Sequence, residues 1–253
     1  EQLFFIRGSN YSKPEVIDAF LKDFHIDLPI FGYYSTIKKR PDYLEPILNE
    51  IRQYYFNSAK DDHSRFIQRL ILDSDINYFY FLEKWMERHV AISKKDTFYS
   101  RFSVSTKINP HPSLKAASHT DEVCYLFRCQ KMTDYYKQIK VIKENDPDSL
   151  EALTSMKNIQ ALFYNFVKYG KPVHDGKPIQ EFAPVQNSSK ANQFNFIDVT
   201  NGGLVSGVAA NAKRTEFLDT IVEKVKQLVK KHGETPKDTS LQQMCDAMKL
   251  GNW

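Results

Sequence analysis

The sequence predicts a globular fold that mixes helix and strand. Three observations predict it: apolar residues recur at helical spacing through residues 13–90, the period shifts to alternation near residue 100, and a strand-like run followed by an amphipathic helix lies near the end.

The helical first third contains three or four elements. "KPEVIDAFLKDF" carries Val16, Ile17, Phe20, Leu21 and Phe24 on one face behind a proline at its start. "YLEPILNEIRQYYF" and "HSRFIQRLILDSDINYFYFLEKWMERHV" repeat that pattern. "DTFYSRFSVS" over 96–105 then alternates aromatic and small polar residues, as a strand does, and "KINPHPSLKAAS" is a loop with two prolines. "SLEALTSMKNIQALFYNFVKYGKP" is a helix with Ser149 as the candidate N-cap. Its apolar face runs through Leu153, Met156, Ile159, Leu162, Phe163 and Phe166, and Gly170-Lys171-Pro172 is its stop. A strand or hairpin is expected within "FAPVQNSSKANQFNFIDV", a loop at "GGLVSG", and a last helix over "RTEFLDTIVEKVKQLVKK". From His232 the chain is polar.

Composition narrows the classes of function. A chain of 253 residues with 42% hydrophobic and 13% aromatic content can bury a substantial core. Its 35 basic and 31 acidic residues are interspersed, so no basic stripe suits a phosphate backbone and nucleic acid is not implied. The longest aromatic run, "NYFYF", falls far short of the roughly 20 residues of a membrane helix.

The start "EQLFFIRGSN" has neither an initiator Met nor a signal-peptide pattern and reads as an internal start; secretion and a cytosolic location both stay open. With three cysteines no disulfide framework is expected, and Cys124 and Cys129 fall on different faces of one expected helix. Asn10 and Asn187 head N-glycosylation sequons, which a chain of this composition also produces by chance.

Chemistry-bearing motifs are few. The sequence has no Gly-rich phosphate loop, no His-Glu-x-x-His, no cysteine pair at zinc spacing and no G-x-S-x-G; the seven histidines do not cluster, so neither a metal nor a cofactor is called for. What remains is "ASHTDEVCYLF" at 117–127, where His119 stands between an expected strand and an expected helix. Local physics explains this stretch without any function. Ser118 and Asp121 fit a capping pattern, Asp121 and Glu122 suit a positive helix end, and Val123, Cys124, Leu126 and Phe127 form an expected buried stripe.

The same stretch resembles the histidine loop of the type-B carboxylesterase and cholinesterase family. "FYSRFSVS" resembles the strand that feeds that loop, and "MKNIQALFYNFVKYGKPV" the family's helix ending Asn-Phe-x-x-x-Gly-x-Pro. "FNFIDVTNG" and "RTEFLDTIVEK" are similar to its final strand and helix, in the same order. "EQLFF" resembles the segment that begins with the catalytic acid in the insect branch, with Gln2 in place of a glycine, and the spacing from Glu1 to His119 is about what the family shows.

The resemblance implies an α/β-hydrolase fold, of which residues 1–231 would be the C-terminal portion, with later sheet strands and a helical insert over the pocket; residues 232–253 would be a tail. It implies a Ser-His-Glu triad in which His119 is the base and Glu1 the acid. The serine and oxyanion loop would lie in an upstream half of the same protein, leaving this chain alone inactive. Phe4 and Phe5, and more loosely Asn77 and Tyr78, match positions that line the pocket. Glu122 is either a buried group behind the histidine or a solvated acid. The partner implied is a small carboxylic ester of hormone, odorant, lipid or xenobiotic type. A relative of the same fold used in adhesion, without catalysis, is the rival reading.

Overall fold

The computed structural model describes residues 13–24, 39–110, 116–134, 146–174, 177–178, 182–185, 193–208 and 211–231. In chain order these form α1 (Pro14–Lys22), α2 (Pro41–Phe56), α3 (Asp62–Ser74), a π-helical turn (Asp75–Phe79), α4 (Tyr80–Ile92), β1 (Ser100–Phe102), α5 (Val123–Leu126) and α6 (Pro147–Tyr169). They are followed by β2 (Val173–His174), β3 (Lys177–Pro178), β4 (Asn195–Thr200), β5 (Gly203–Val208) and α7 (Ala212–Lys231). The described residues divide into two compact units, one holding those from 82 to 212 and the other those of 13–81 and 213–231.

The flanking unit is helical. Apolar residues three and four apart give α2 a buried stripe of Leu44, Ile47, Leu48, Ile51 and Tyr55. Leu218, Ile221, Val222, Val225 and Val229 of α7 join the same core. Burying each aliphatic side chain stabilises the unit by about 1.5–3 kcal/mol. Helix α3 starts where the Asp61 carboxylate accepts a hydrogen bond from the Ser64 amide at 2.7 Å and the Ser64 hydroxyl in turn accepts from the Asp61 amide at 3.1 Å. The bond from the Ser64 amide, above all, holds the Asp61 carboxylate pKa below the usual range.

The π turn widens the helix after Ser74 and starts at Asp75, which is buried. Its Oδ2 accepts from the Tyr55 hydroxyl at 2.9 Å and from Arg214 Nε at 2.6 Å, so three elements meet at one carboxylate. Burial raises the Asp75 pKa against the pull of Arg214. Burial also raises the Tyr55 phenol, helped by the Asp75 charge.

The other unit is built on a three-stranded mixed sheet in the order β1-β4-β5. Strand β4 is central: it runs parallel to β1 and antiparallel to β5, and Phe196, Ile197, Asp198 and Val199 are buried in succession, the pattern of a strand covered on both faces. Arg101 of β1 lies opposite Asp198 and its Nε donates to Asp198 Oδ2 at 2.9 Å. Helix α6 packs Ala152, Ile159 and Leu162 into a core shared with Val104, Ile108, Tyr125, Ile197 and Val199. Gly170 ends α6 with φ 67°, a left-handed conformation that favours glycine.

The segment 202–207, expected as a loop, is instead mostly strand: Asn201-Gly202 makes a two-residue turn and β5 folds back on β4. Gly207 pairs with Phe196, and a Cβ there would come within 2.7 Å of the Phe196 ring, so glycine serves ring packing rather than a loop. Strand β1 is shorter than the expected 96–105, although Val185 N donates to Thr97 O at 2.7 Å and Ser103 N to Val199 O at 2.9 Å beyond its ends. In α6 the buried face is Ser149, Ala152, Ser155, Ile159 and Leu162, with Phe163 and Phe166 exposed. Asp146 rather than Ser149 takes the N-cap position, and the Ser149 hydroxyl donates to its carboxylate at 2.5 Å.

Two expectations about the cysteines and the stripe are corrected. Helix α5 ends at Leu126, and Phe127 is extended at φ −125°, ψ 157°, which swings the chain back. Cys129 thereby meets Cys124 with Cα atoms 5.2 Å apart, and the two form a disulfide. With a single helical turn there is no long stripe. Cys124 and Tyr125 are buried, while Val123 is 38% and Phe127 71% exposed.

Candidate functional site

His119 lies beyond the end of β1, on a segment held from both sides. Below it, the chain leaving β1 is tied to the β4–β5 turn: Asn201 Oδ1 accepts from Ser105 N at 2.9 Å, and Asn201 Nδ2 donates to Ser105 O at 3.0 Å. A turn then forms at Thr106, where Asn109 N donates to Thr106 O at 3.0 Å.

Asn109 is buried and uses its whole side-chain hydrogen-bonding capacity. Its Oδ1 accepts from Thr106 N at 2.8 Å and from the Tyr125 hydroxyl at 2.6 Å, and its Nδ2 donates to Val104 O at 2.9 Å and to Asp121 Oδ2 at 2.7 Å. The Thr106 hydroxyl, 2.5 Å from the Tyr125 hydroxyl, can donate to it while Tyr125 donates to Asn109. This network also fixes which way the amide faces, because a flipped Asn109 would turn its NH2 toward the Thr106 N–H.

The histidine stretch is a tight turn above this network. Asp121 N donates to Ser118 O at 3.1 Å, closing a four-residue turn with His119 and Thr120 at its centre. Thr120 has φ 73°, the only positive φ of a non-glycine residue among the described residues. For a β-branched residue this left-handed conformation costs on the order of 1–2 kcal/mol, so the surroundings must impose it. Asp121 supplies that constraint. It is fully buried, and its Oδ2 accepts from Ser118 N at 2.9 Å, the reach-back half of the capping pattern. Beyond the turn, Gln160 of α6 donates to Tyr125 O at 2.7 Å, which ties α5 to the sheet-covering helix.

His119 itself is half-buried, as is Glu122, whose backbone carbonyl accepts from Tyr125 N and Leu126 N at 3.1 Å. Asn77 and Tyr78 lie in the π turn of the other unit. Asn77 is exposed and its Nδ2 donates to Asp73 O at 2.7 Å, whereas Tyr78 is half-buried. Glu1, Phe4, Phe5, Asn10 and Asn187 lie outside the described residues. Among the described residues no three His, Cys, Asp or Glu side chains are grouped to hold a metal ion, and no helix is long and apolar enough to cross a membrane.

A protein-family model described as the carboxylesterase family matches residues 1–217. The chain belongs to the carboxylesterase family. That family implies the α/β-hydrolase fold, and the described residues contribute a small mixed sheet with helices; the family also marks the protein as an ester hydrolase. No curated protein matches the chain.

His119 was legible in the sequence as a histidine between strand and helix, and the bonds that hold its turn were not. Asp121 was legible as half of a capping pattern, and its burial was not. Asn109 carries no local signal, since its partners Val104, Tyr125 and Asp121 are brought to it by the turn and by α5.

Proposed function

We propose that this chain is the C-terminal part of an insect-type carboxylesterase and supplies two members of a Ser-His-Glu triad. His119 takes the proton of a serine hydroxyl as that oxygen attacks the ester carbonyl, and returns it to the leaving alcohol, so the reaction passes through an acyl-enzyme that water then hydrolyses. Glu1 holds the imidazole in the tautomer that accepts this proton and stabilises the imidazolium. The serine, on a G-x-S-x-G elbow, and the oxyanion-hole amides belong to the half that precedes Glu1. Phe4 and Phe5 line the pocket for a small carboxylic ester, and Glu122 stands behind the base. No cofactor enters this chemistry.

The observation that carries the reading is the histidine turn. In a chain matched to carboxylesterases over residues 1–217, His119 occupies a strand-end loop whose backbone is constrained by buried hydrogen bonds and an imposed left-handed residue. Such order is what a general base needs if its nitrogen is to stay within reach of a hydroxyl.

The test uses the protein with its upstream half. It should hydrolyse an aryl acetate and lose that activity on His119→Ala; unchanged turnover removes His119 from the mechanism. An upstream half without the serine elbow would favour the non-catalytic relative of the same fold.

A further inference from the structure

We propose that Asp121 is a positioning residue for His119, acting through the backbone of the histidine turn and through Asn109. The proposal rests on His119 being the general base. Oδ2 of Asp121 accepts from the amide of Ser118, immediately before the histidine, at 2.9 Å, while the Asp121 amide donates to the Ser118 carbonyl at 3.1 Å. These two bonds run in opposite directions between the same residues and enclose His119 and Thr120 in a small ring. The direction in which the imidazole leaves the backbone is therefore set by a fully buried carboxyl.

The ring is anchored to the sheet through the same oxygen. Asn109 Nδ2 donates to Asp121 Oδ2 at 2.7 Å and to Val104 O at 2.9 Å, two residues past the end of β1. Tyr125 locks Asn109 from the other side at 2.6 Å, and Tyr125 is itself fully buried. The path from strand to base thus runs Val104, Asn109, Asp121, Ser118, His119, with a hydrogen bond or a peptide link at each step. Thr120 in the left-handed region is the observable sign of constraint, because a threonine relaxes to negative φ when nothing holds it. A displacement of the base by about 1 Å is enough to slow a proton transfer a hundredfold.

The geometry sets apart what Asp121 does from a charge effect. Both described bonds go to one oxygen, so an asparagine whose amide oxygen takes the Oδ2 position keeps them, whereas alanine loses both.

The experiment compares Asp121→Ala, Asp121→Asn and Tyr125→Phe in the intact esterase, with kcat expressed per site reactive toward an organophosphate titrant. Asp121→Ala is expected to lower kcat at least tenfold with KM within threefold, and to slow phosphonylation in proportion. Asp121→Asn should recover to within threefold of the parent. Parental kcat in Asp121→Ala, or no recovery in Asp121→Asn, overturns the proposal. If Asp121→Ala does not fold, Tyr125→Phe decides: a fall in kcat of threefold or more supports positioning, and an unchanged kcat overturns it. His119→Ala separates the two levels. An active His119→Ala enzyme removes the general base and this proposal with it, whereas an inactive one beside a fully active Asp121→Ala removes this proposal alone.

Discussion

Asn109 and Asp121, twelve positions apart, meet inside the protein with Nδ2 of one donating to Oδ2 of the other at 2.7 Å. The bond joins the loop that leaves β1 to the turn that carries His119, and both residues are buried. Replacing Asn109 with leucine keeps the volume but leaves the Val104 carbonyl, the Thr106 amide and the Asp121 carboxyl without the partner each has now. Each buried group deprived of its partner costs about 1–3 kcal/mol, so Asn109→Leu should destabilise by at least about 3 kcal/mol. Denaturant unfolding of the two proteins checks this, and a difference under about 1 kcal/mol would mean that water replaces the lost bonds.

The Cys124–Cys129 bridge fastens the segment just after the histidine turn. A loop this short removes little entropy from the unfolded chain, about 2 kcal/mol in the loop-closure model. The double variant Cys124→Ser/Cys129→Ser should unfold at correspondingly lower denaturant, and adding reductant to the parent protein should reproduce the loss. A parent protein indifferent to reductant would argue that the thiols are not joined in solution.

Arg214 and Asp75 give a pH-dependent expectation. Burial already holds the Asp75 pKa above its unfolded value, so between those two values the folded state binds the proton more tightly and stability falls as pH rises. Arg214 opposes that shift, with Nε 2.6 Å from Asp75 Oδ2. Arg214→Met removes the opposing charge and raises the folded-state value further. The variant should therefore lie nearest its parent well below about pH 4, where Asp75 is protonated folded or unfolded, and fall progressively behind as pH rises toward about 7. Melting temperatures across that range decide it; a deficit constant with pH would mean that lost packing, not charge, is responsible.

Much of the fold was legible because helices announce themselves locally. The spacing of Leu44, Ile47, Leu48 and Ile51, the Gly170 stop and the stripe from Leu218 to Val229 depend on residues one turn apart, and the structure keeps them. Strand β5 was hidden because its two glycines read as a loop; only pairing with β4, and the Phe196 ring over Gly207, show them to be strand positions. The disulfide was hidden for a related reason. Helical spacing sets Cys124 and Cys129 on different faces, and only the break at Phe127 brings them together.

By itself the sequence determined the helices, the alternating run that becomes β1, and a histidine between strand and helix, since each is a pattern among near neighbours. Tertiary structure decided that Asp121 is buried and bonded to the residue before that histidine, that Asn109 is its partner, and that Thr120 is held at φ 73°. The reason is physical. A buried polar group must find a partner wherever the fold offers one, and those partners come from separate loops and helices that only the folded chain brings together.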